Sequence, residues 1–258
     1  MANLELFDNY VAPRNAQREN ILGWAKSVVL VCLGVFFIYS IASGNLSNYI
    51  NQRFAWLSYV AAGLFLLLGV ANAVDLLLHR DYALLDRSHS PITWTVIAIV
   101  AIPLMLGVLV PSRPLGSAAA AGSVSLSLSA ASVTKATTFT TDPLKWNVLD
   151  WLRAFHMSDD VNSLNGKQAN VIGFVYREGT FPDNEFMIER FAVSCCVADA
   201  SALGLPVISD KASQYPADTW VQIKGTLKVG KFKGDNWPIL QAVSIEKIDQ
   251  PAHPYLYP

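Results

Sequence analysis

Cysteine and histidine are scarce in this chain, three and four among 258 residues, and formal charge nearly cancels at −1. Zinc patterns separate paired cysteines by two or more residues. Here two of the three are adjacent, Cys195-Cys196, and the third, Cys32, lies in an apolar run. A phosphate-binding glycine loop, a nucleophile elbow and a histidine pair at metalloprotease spacing are all missing. No stretch of the sequence spells out a catalytic motif.

A second shortage is local. No charged residue lies between Lys26 and Arg53, and Ser27 to Ser43 within that interval is long enough to span a bilayer core of about 30 Å. Ala55 to Leu78 carries only Asp75, one turn from its end. Thr93 to Val110 carries no charge and has Pro103 in its interior, which predicts a kink of a kind spanning helices tolerate. Trp56 and Trp94 stand at helix starts, as interfacial anchors do. The segment before Ser27 lacks the apolar core of a cleaved leader, so the expectation is a retained anchor of three spans.

Lysine and arginine resist translocation, and they set the expected orientation. With three spans, Arg14, Arg18, Lys26, Arg80 and Arg87 share one side, against Arg53, Arg113 and Lys135 on the other. The bias places the N-terminus in the cytoplasm and the C-terminal half outside. An uncharged run from Pro114 to Thr134 could be a fourth span, which would reverse this. Its six Ser, six Ala and two Gly offer little transfer energy, so it reads as a linker.

Beyond the linker the pattern changes. Asp142-Pro143 predicts a helix start, and Leu144, Val148, Trp151, Leu152 and Phe155 form an amphipathic stripe. Runs at Gln168 to Tyr176, Phe186 to Val197, Trp220 to Val229 and Ile239 to Ile248, with a short one at Leu205 to Ile208, read as strands between Gly and Pro punctuation. Five short strands suit a small β-barrel of the OB type, with a β-sandwich as the alternative. From Phe139 onward there are 11 basic and 14 acidic residues. Nucleic-acid binding needs a cationic groove, and the one basic cluster, Lys224, Lys228, Lys231 and Lys233, reads as a solvated hairpin face.

The unusual local feature is Ser194-Cys195-Cys196-Val197-Ala198-Asp199. In a regular strand Cys195 would share the apolar face with Phe191, Val193 and Val197, and Cys196 the opposite face. Three readings stay open: one core thiol beside an incidental one, a thiol or metal site of Cys196 with Asp199 and a distant His156 or Asp160, or a redox disulfide. His156 ends the amphipathic helix, where an imidazolium favours the helix dipole. His79 and His89 read as solvated loop residues. The spans carry no buried ionisable pair that would mark an ion path.

Pro103 to Ser117 (PLMLGVLVPSRPLGS), Gly173-Phe-Val-Tyr-Arg, Arg190-Phe-Ala-Val-Ser-Cys-Cys-Val-Ala-Asp and the closing Pro251-Ala-His-Pro-Tyr-Leu-Tyr together resemble the YcgQ-like family of bacterial membrane proteins. The resemblance implies a subunit of a two-component permease paired with a polytopic partner, and a connection to metal homeostasis. It supplies no catalytic residue.

The combined expectation is a tail (1–26), a three-helix transmembrane region (27–112), an Ala/Ser-rich linker (113–138) and a soluble β-barrel domain (139–258). The expected protein is a non-enzymatic accessory subunit in the cell membrane, its domain extracytoplasmic and binding or delivering a small solute or a divalent metal ion such as zinc. Its expected partners are a permease subunit and the lipid bilayer, with no nucleic acid. Cys195, Cys196 and Asp199 are the candidate ligands, with His156 behind them. The rival is a membrane-tethered thiol oxidoreductase or metal-dependent enzyme using Cys196.

Overall fold

The computed structural model describes residues 2–78, 93–121 and 142–258. The expected loop histidines His79 and His89, and most of the linker, lie outside the described residues. The chain divides into two units: residues 1–46 with 53–112, and residues 47–52 with 113–258.

The first unit is helical. It contains α1 (Ala2–Ala42), α2 (Ala55–Leu78) and α3 (Trp94–Leu109). Helices α1 and α2 approach closely where side chains are small: a Cβ on Gly34 would lie 2.6 Å from Leu66, and one on Gly69 2.8 Å from Val31. Small residues let apolar helices associate in lipid, where no hydrophobic force drives them together. A polar contact supports the pair, with the Asn72 amide donating to the Gly23 carbonyl at 3.1 Å and the Ser27 hydroxyl at 2.5 Å.

Two helices, Asn20–Ala42 and Gln52–Leu78, are long and apolar enough to cross a membrane, and only 22% and 11% of their apolar windows are buried. A core helix of a soluble protein would be mostly buried, so these surfaces call for lipid or a partner. The 16 residues of α3 measure about 24 Å, short of a bilayer core of about 30 Å. The third expected span is thus a shorter apolar helix than the other two.

The second unit opens with α4 (Ser117–Ala120), whose Ala120 is fully buried. Asp142 accepts the Leu144 N–H at 3.0 Å and caps only a 3₁₀ turn, Pro143–Lys145. The α-helix expected there begins later, as α5 (Val148–Met157), because Asn147 and Asp150 form a reciprocal capping box. Its Leu149, Trp151 and Leu152 are buried.

Five strands follow: β1 (Gln168–Tyr176), β2 (Glu185–Ala192), β3 (Ser201–Ile208), β4 (Trp220–Phe232) and β5 (Asp235–Lys247). Their pairings return to the start in the order β1-β2-β3-β5-β4, a closed sheet. All pairings are antiparallel except β3 with β5. Two separate sheets would be needed for the sandwich alternative, and the described strands form one closed sheet instead.

Alternation along the strands separates two apolar clusters. Val171, Val175, Phe186, Ile188, Leu203 and Leu205 pack with the buried face of α5. The intervening Phe174, Tyr176, Met187 and Phe191 pack instead with Phe232 and Trp237 from the β4–β5 hairpin. Both faces of β1 and β2 are thus covered, so these strands read as near-continuous apolar runs.

Candidate functional site

Strand β2 stops at Ala192, and the residues after it leave the regular ladder. The reason is Asp199, whose carboxylate accepts the backbone N–H groups of Ser194 at 2.9 Å, Cys195 at 2.7 Å and Cys196 at 3.4 Å. Successive N–H groups turned toward one point form an anion-holding concavity, and here the chain's own carboxylate fills it. A 3₁₀ turn, Val197–Asp199, brings that carboxylate back onto the loop.

Two distant segments hold this loop. On one side, residues 47–52 add an extended piece to it: Ile50 bridges Cys196, the Asn51 N–H donates to the Cys195 carbonyl at 3.0 Å, and the Val197 N–H donates to the Tyr49 carbonyl at 2.9 Å. The buried Asn51 amide also donates to the carbonyls of Ser194 at 2.8 Å and Val193 at 3.3 Å. On the other side the C-terminal segment pairs with the end of β2, with the Val193 N–H donating to Leu256 at 2.9 Å and the Leu256 N–H to Phe191 at 2.8 Å. The Arg190 guanidinium donates to the carbonyls of Pro254 at 3.1 Å and His253 at 2.5 Å. The Tyr255 hydroxyl joins three segments, donating to the Asn48 carbonyl and accepting the Leu115 N–H, each at 2.9 Å.

This geometry corrects the expected placement of the thiols. Cys195 is exposed, not on an apolar face, and Cys196 is half-buried; both are free. The physical reason is that strand alternation ends at Ala192, so its extrapolation to residue 195 fails. The Cys196 side chain beside it, then burial and the Asp199 charge, push the Cys195 thiol above its ordinary range. A thiolate is the nucleophile and the metal ligand, so this environment disfavours both roles for Cys195.

Asp199 spends its oxygens on backbone N–H groups. His156 is exposed in the last turn of α5, against the Phe155 ring, and Asp160 caps the turn Val161–Leu164 through the Asn162 N–H at 2.9 Å. Among the described residues no three side chains of the His, Cys, Asp or Glu type gather as a metal group. Two adjacent thiols and a spent carboxylate fall short of a four-ligand zinc site.

The sequence reading missed Asn51 and Glu189. Asn51 gives no periodic signal, because its role is set by a partner more than 140 residues away. Glu189 was legible: it shares the two-residue period of Met187 and Phe191, which puts a carboxylate on an apolar face. It is fully buried, neither of its oxygens has a hydrogen-bond partner among the described residues, and burial raises its carboxyl to about 8.

Comparison with known proteins follows the same two-part division. Residues 26–124 match the model of the DUF1980 N-terminal domain, and residues 136–258 that of the DUF1980 C-terminal domain. A relative from Streptococcus mutans serotype c, named "Putative two-component membrane permease complex subunit", is 24% identical over 272 residues, covering 88% of this chain and 97% of the relative. UPF0703 protein YcgQ from Bacillus subtilis is 24% identical over 281 residues, covering 90% of this chain and 98% of its own. Among solved structures, a small single-stranded DNA-binding protein from Streptomyces coelicolor aligns with 33% of this chain and 94% of its own at 13% identity; its TM-score of 0.23 carries no argument. The apolar helix pair, the five-stranded domain and matches covering both halves place the chain in the DUF1980 family, together with the YcgQ proteins.

Proposed function

We propose that the chain is a non-enzymatic accessory subunit of a membrane permease, whose helices dock to a polytopic partner and whose OB-type domain handles a small solute outside the cytoplasm. The strand order β1-β2-β3-β5-β4, with β3 and β5 parallel, supports the OB type. The name of the Streptococcus relative supports the subunit role. The raised Cys195 thiol and the absence of a gathered donor set among the described residues favour binding over thiol or metal chemistry. An acidic excess in the domain, 14 against 11, argues against nucleic acid as its ligand.

The observation that carries the topology is the hydrogen bonding of residues 47–52 to the Cys195-Cys196 loop. Those residues connect α1 to α2 and belong to the same compact unit as the domain, which supports an α1–α2 connection on the domain's side of the membrane. In the proposed three-span anchor α2 crosses away and one further crossing precedes residue 113. Helix α3 is the described apolar segment in that interval, which supports a third crossing through it. The linker then stays out of the bilayer, and the cation bias puts the shared side outside.

Fusion of alkaline phosphatase or a fluorescent protein to the C-terminus tests the orientation. Phosphatase activity without fluorescence is the expected outcome, and cytoplasmic fluorescence overturns it. Affinity purification from membranes of the native host should bring down a polytopic permease in stoichiometric amount. Recovery of the chain alone in mild detergent overturns the subunit reading.

A further inference from the structure

Glu189 is the one fully buried carboxylate among the described residues. On β2 it pairs with Phe174 of β1 and Gly204 of β3. A Cβ at Gly204 would stand 2.8 Å from its Cγ and 3.3 Å from Oε1, so the side chain occupies the space that glycine leaves bare. An unpaired buried carboxylate is costly unless it is neutralised or meets a cation, and no described residue hydrogen-bonds to it.

What covers this face is aromatic and comes from two connections. Phe181, between β1 and β2, sets its ring edge to face 5.4 Å from Phe232, and Phe232 lies 5.8 Å from Trp237 across the β4–β5 turn. That turn passes through Lys233 and Gly234, both at positive φ. The Lys233 ammonium stands 4.9 Å over the Phe181 ring and 2.5 Å from the Glu178 carboxylate. This ion pair latches the two connections together. It is part-exposed, and such pairs contribute about 0–1 kcal/mol, so the latch itself holds the two connections only weakly.

We propose that the aromatic cover formed by these two connections opens to admit a small organic ammonium ion, with the Glu189 carboxylate as counter-charge and Phe181, Phe232 and Trp237 as walls. Aromatic faces attract ammonium through the ring quadrupole. Lys233 already shows an ammonium seated on one of these rings, as a tethered occupant that an incoming amine displaces. A single carboxylate among aromatic rings favours an ammonium over a divalent metal, which needs several hard or imidazole donors. The groups facing Glu189 are Glu178 from the β1–β2 connection, which holds its proton on, and Lys233 from the β4–β5 turn, which draws it off. The phenols of Tyr176 and Tyr255 belong to the same cluster. This inference rests on the solute-handling reading and names its class of solute.

The test is calorimetric titration of the full chain in detergent with n-butylammonium and tetramethylammonium at pH 7, in two buffers of different ionisation enthalpy. Expected are saturable binding, release of close to one proton per cation bound, at least tenfold weakening in Glu189→Gln, and severalfold tightening in Lys233→Ala. Neutral n-butanol should not compete. No saturable binding of millimolar probe to Lys233→Ala, or binding without proton release, overturns the site; so does unchanged affinity in Glu189→Gln. Proton release in the unmutated chain reads the same carboxyl if Glu189→Gln fails to fold. Failure to recover a permease would remove the subunit reading while leaving these titrations intact, and silent titrations would remove the site alone.

Discussion

The N–H of Asn51 donates to the carbonyl of Cys195 at 3.0 Å, and the Asn51 side chain donates to the two carbonyls just before it. A residue in the connection between two apolar helices thereby completes a loop of the five-stranded domain. Asn51→Ala leaves buried carbonyls without donors and should destabilise the loop by about 1–3 kcal/mol. Maleimide labelling in native detergent checks this: Cys196, half-buried in the unmutated chain, should label several times faster in the variant. An unchanged labelling rate would mean the contact does not hold the loop.

Cys195 should react slowly for an exposed thiol, because Cys196 and the Asp199 charge keep its proton on. In a Cys32→Ala background, the pH midpoint of iodoacetamide modification at Cys195 should lie above that of a free thiol. Cys196→Ser should lower it most, since Cys196 is the largest cause, and Asp199→Asn should lower it less. Peptide mass spectrometry over a pH series reads each midpoint. A midpoint at or below the ordinary thiol range would reverse the assigned electrostatics and reopen thiol chemistry.

Glu189 makes stability depend on pH with a definite sign. The native carboxyl keeps its proton to about 8, whereas the unfolded chain releases it near 4.5. Between those values the native state binds more protons, so this group's contribution to stability falls as pH rises from 4.5 to 8 and levels off above. Glu189→Met should abolish that slope and stabilise the domain by on the order of 3 kcal/mol at pH 7. Tryptophan-monitored melting of both proteins at pH 5, 7 and 9 measures it. A variant that melts lower at every pH would mean the acid has a partner.

Tyr255→Phe removes the hydroxyl that ties Leu115 to Asn48. The bond to Asn48 is buried and the bond from Leu115 part-buried, so the loss should cost about 1–3 kcal/mol. Amide exchange at Leu115 should accelerate by tenfold or more while that of β4 stays unchanged. Uniform acceleration throughout the domain would instead indicate global destabilisation.

Much of the fold was legible because it depends on local pattern. Gln168–Tyr176 and Ala55–Leu78 were read with their observed ends, since period and turn residues bound them. The start of α5 was misplaced because Asp142-Pro143 and Asn147 both carry cap chemistry, and the reciprocal bond from Asp150 decides between them. The thiol placement failed because strand alternation was carried past Ala192, where a hydrogen bond from beyond the strand takes over. Glu189 stood at an apolar-face position in plain view, but its burial depends on a hairpin that arrives some forty residues later.

The sequence by itself determined the division into apolar helices and a five-stranded domain, because long uncharged runs and strand alternation are both patterns of residue polarity along the chain. It also determined the family, through motifs spread over the whole chain. Only the tertiary structure decided that residues 47–52 belong to the domain, that Asp199 serves the backbone, and that Glu189 lies unpaired beneath aromatic rings. The first and last of these turn on which distant segments meet, and hydrogen bonds across 64 to 207 residues of chain leave no periodic trace for a local reading to find; the Asp199 bonds are local but belong to an irregular turn outside any strand period.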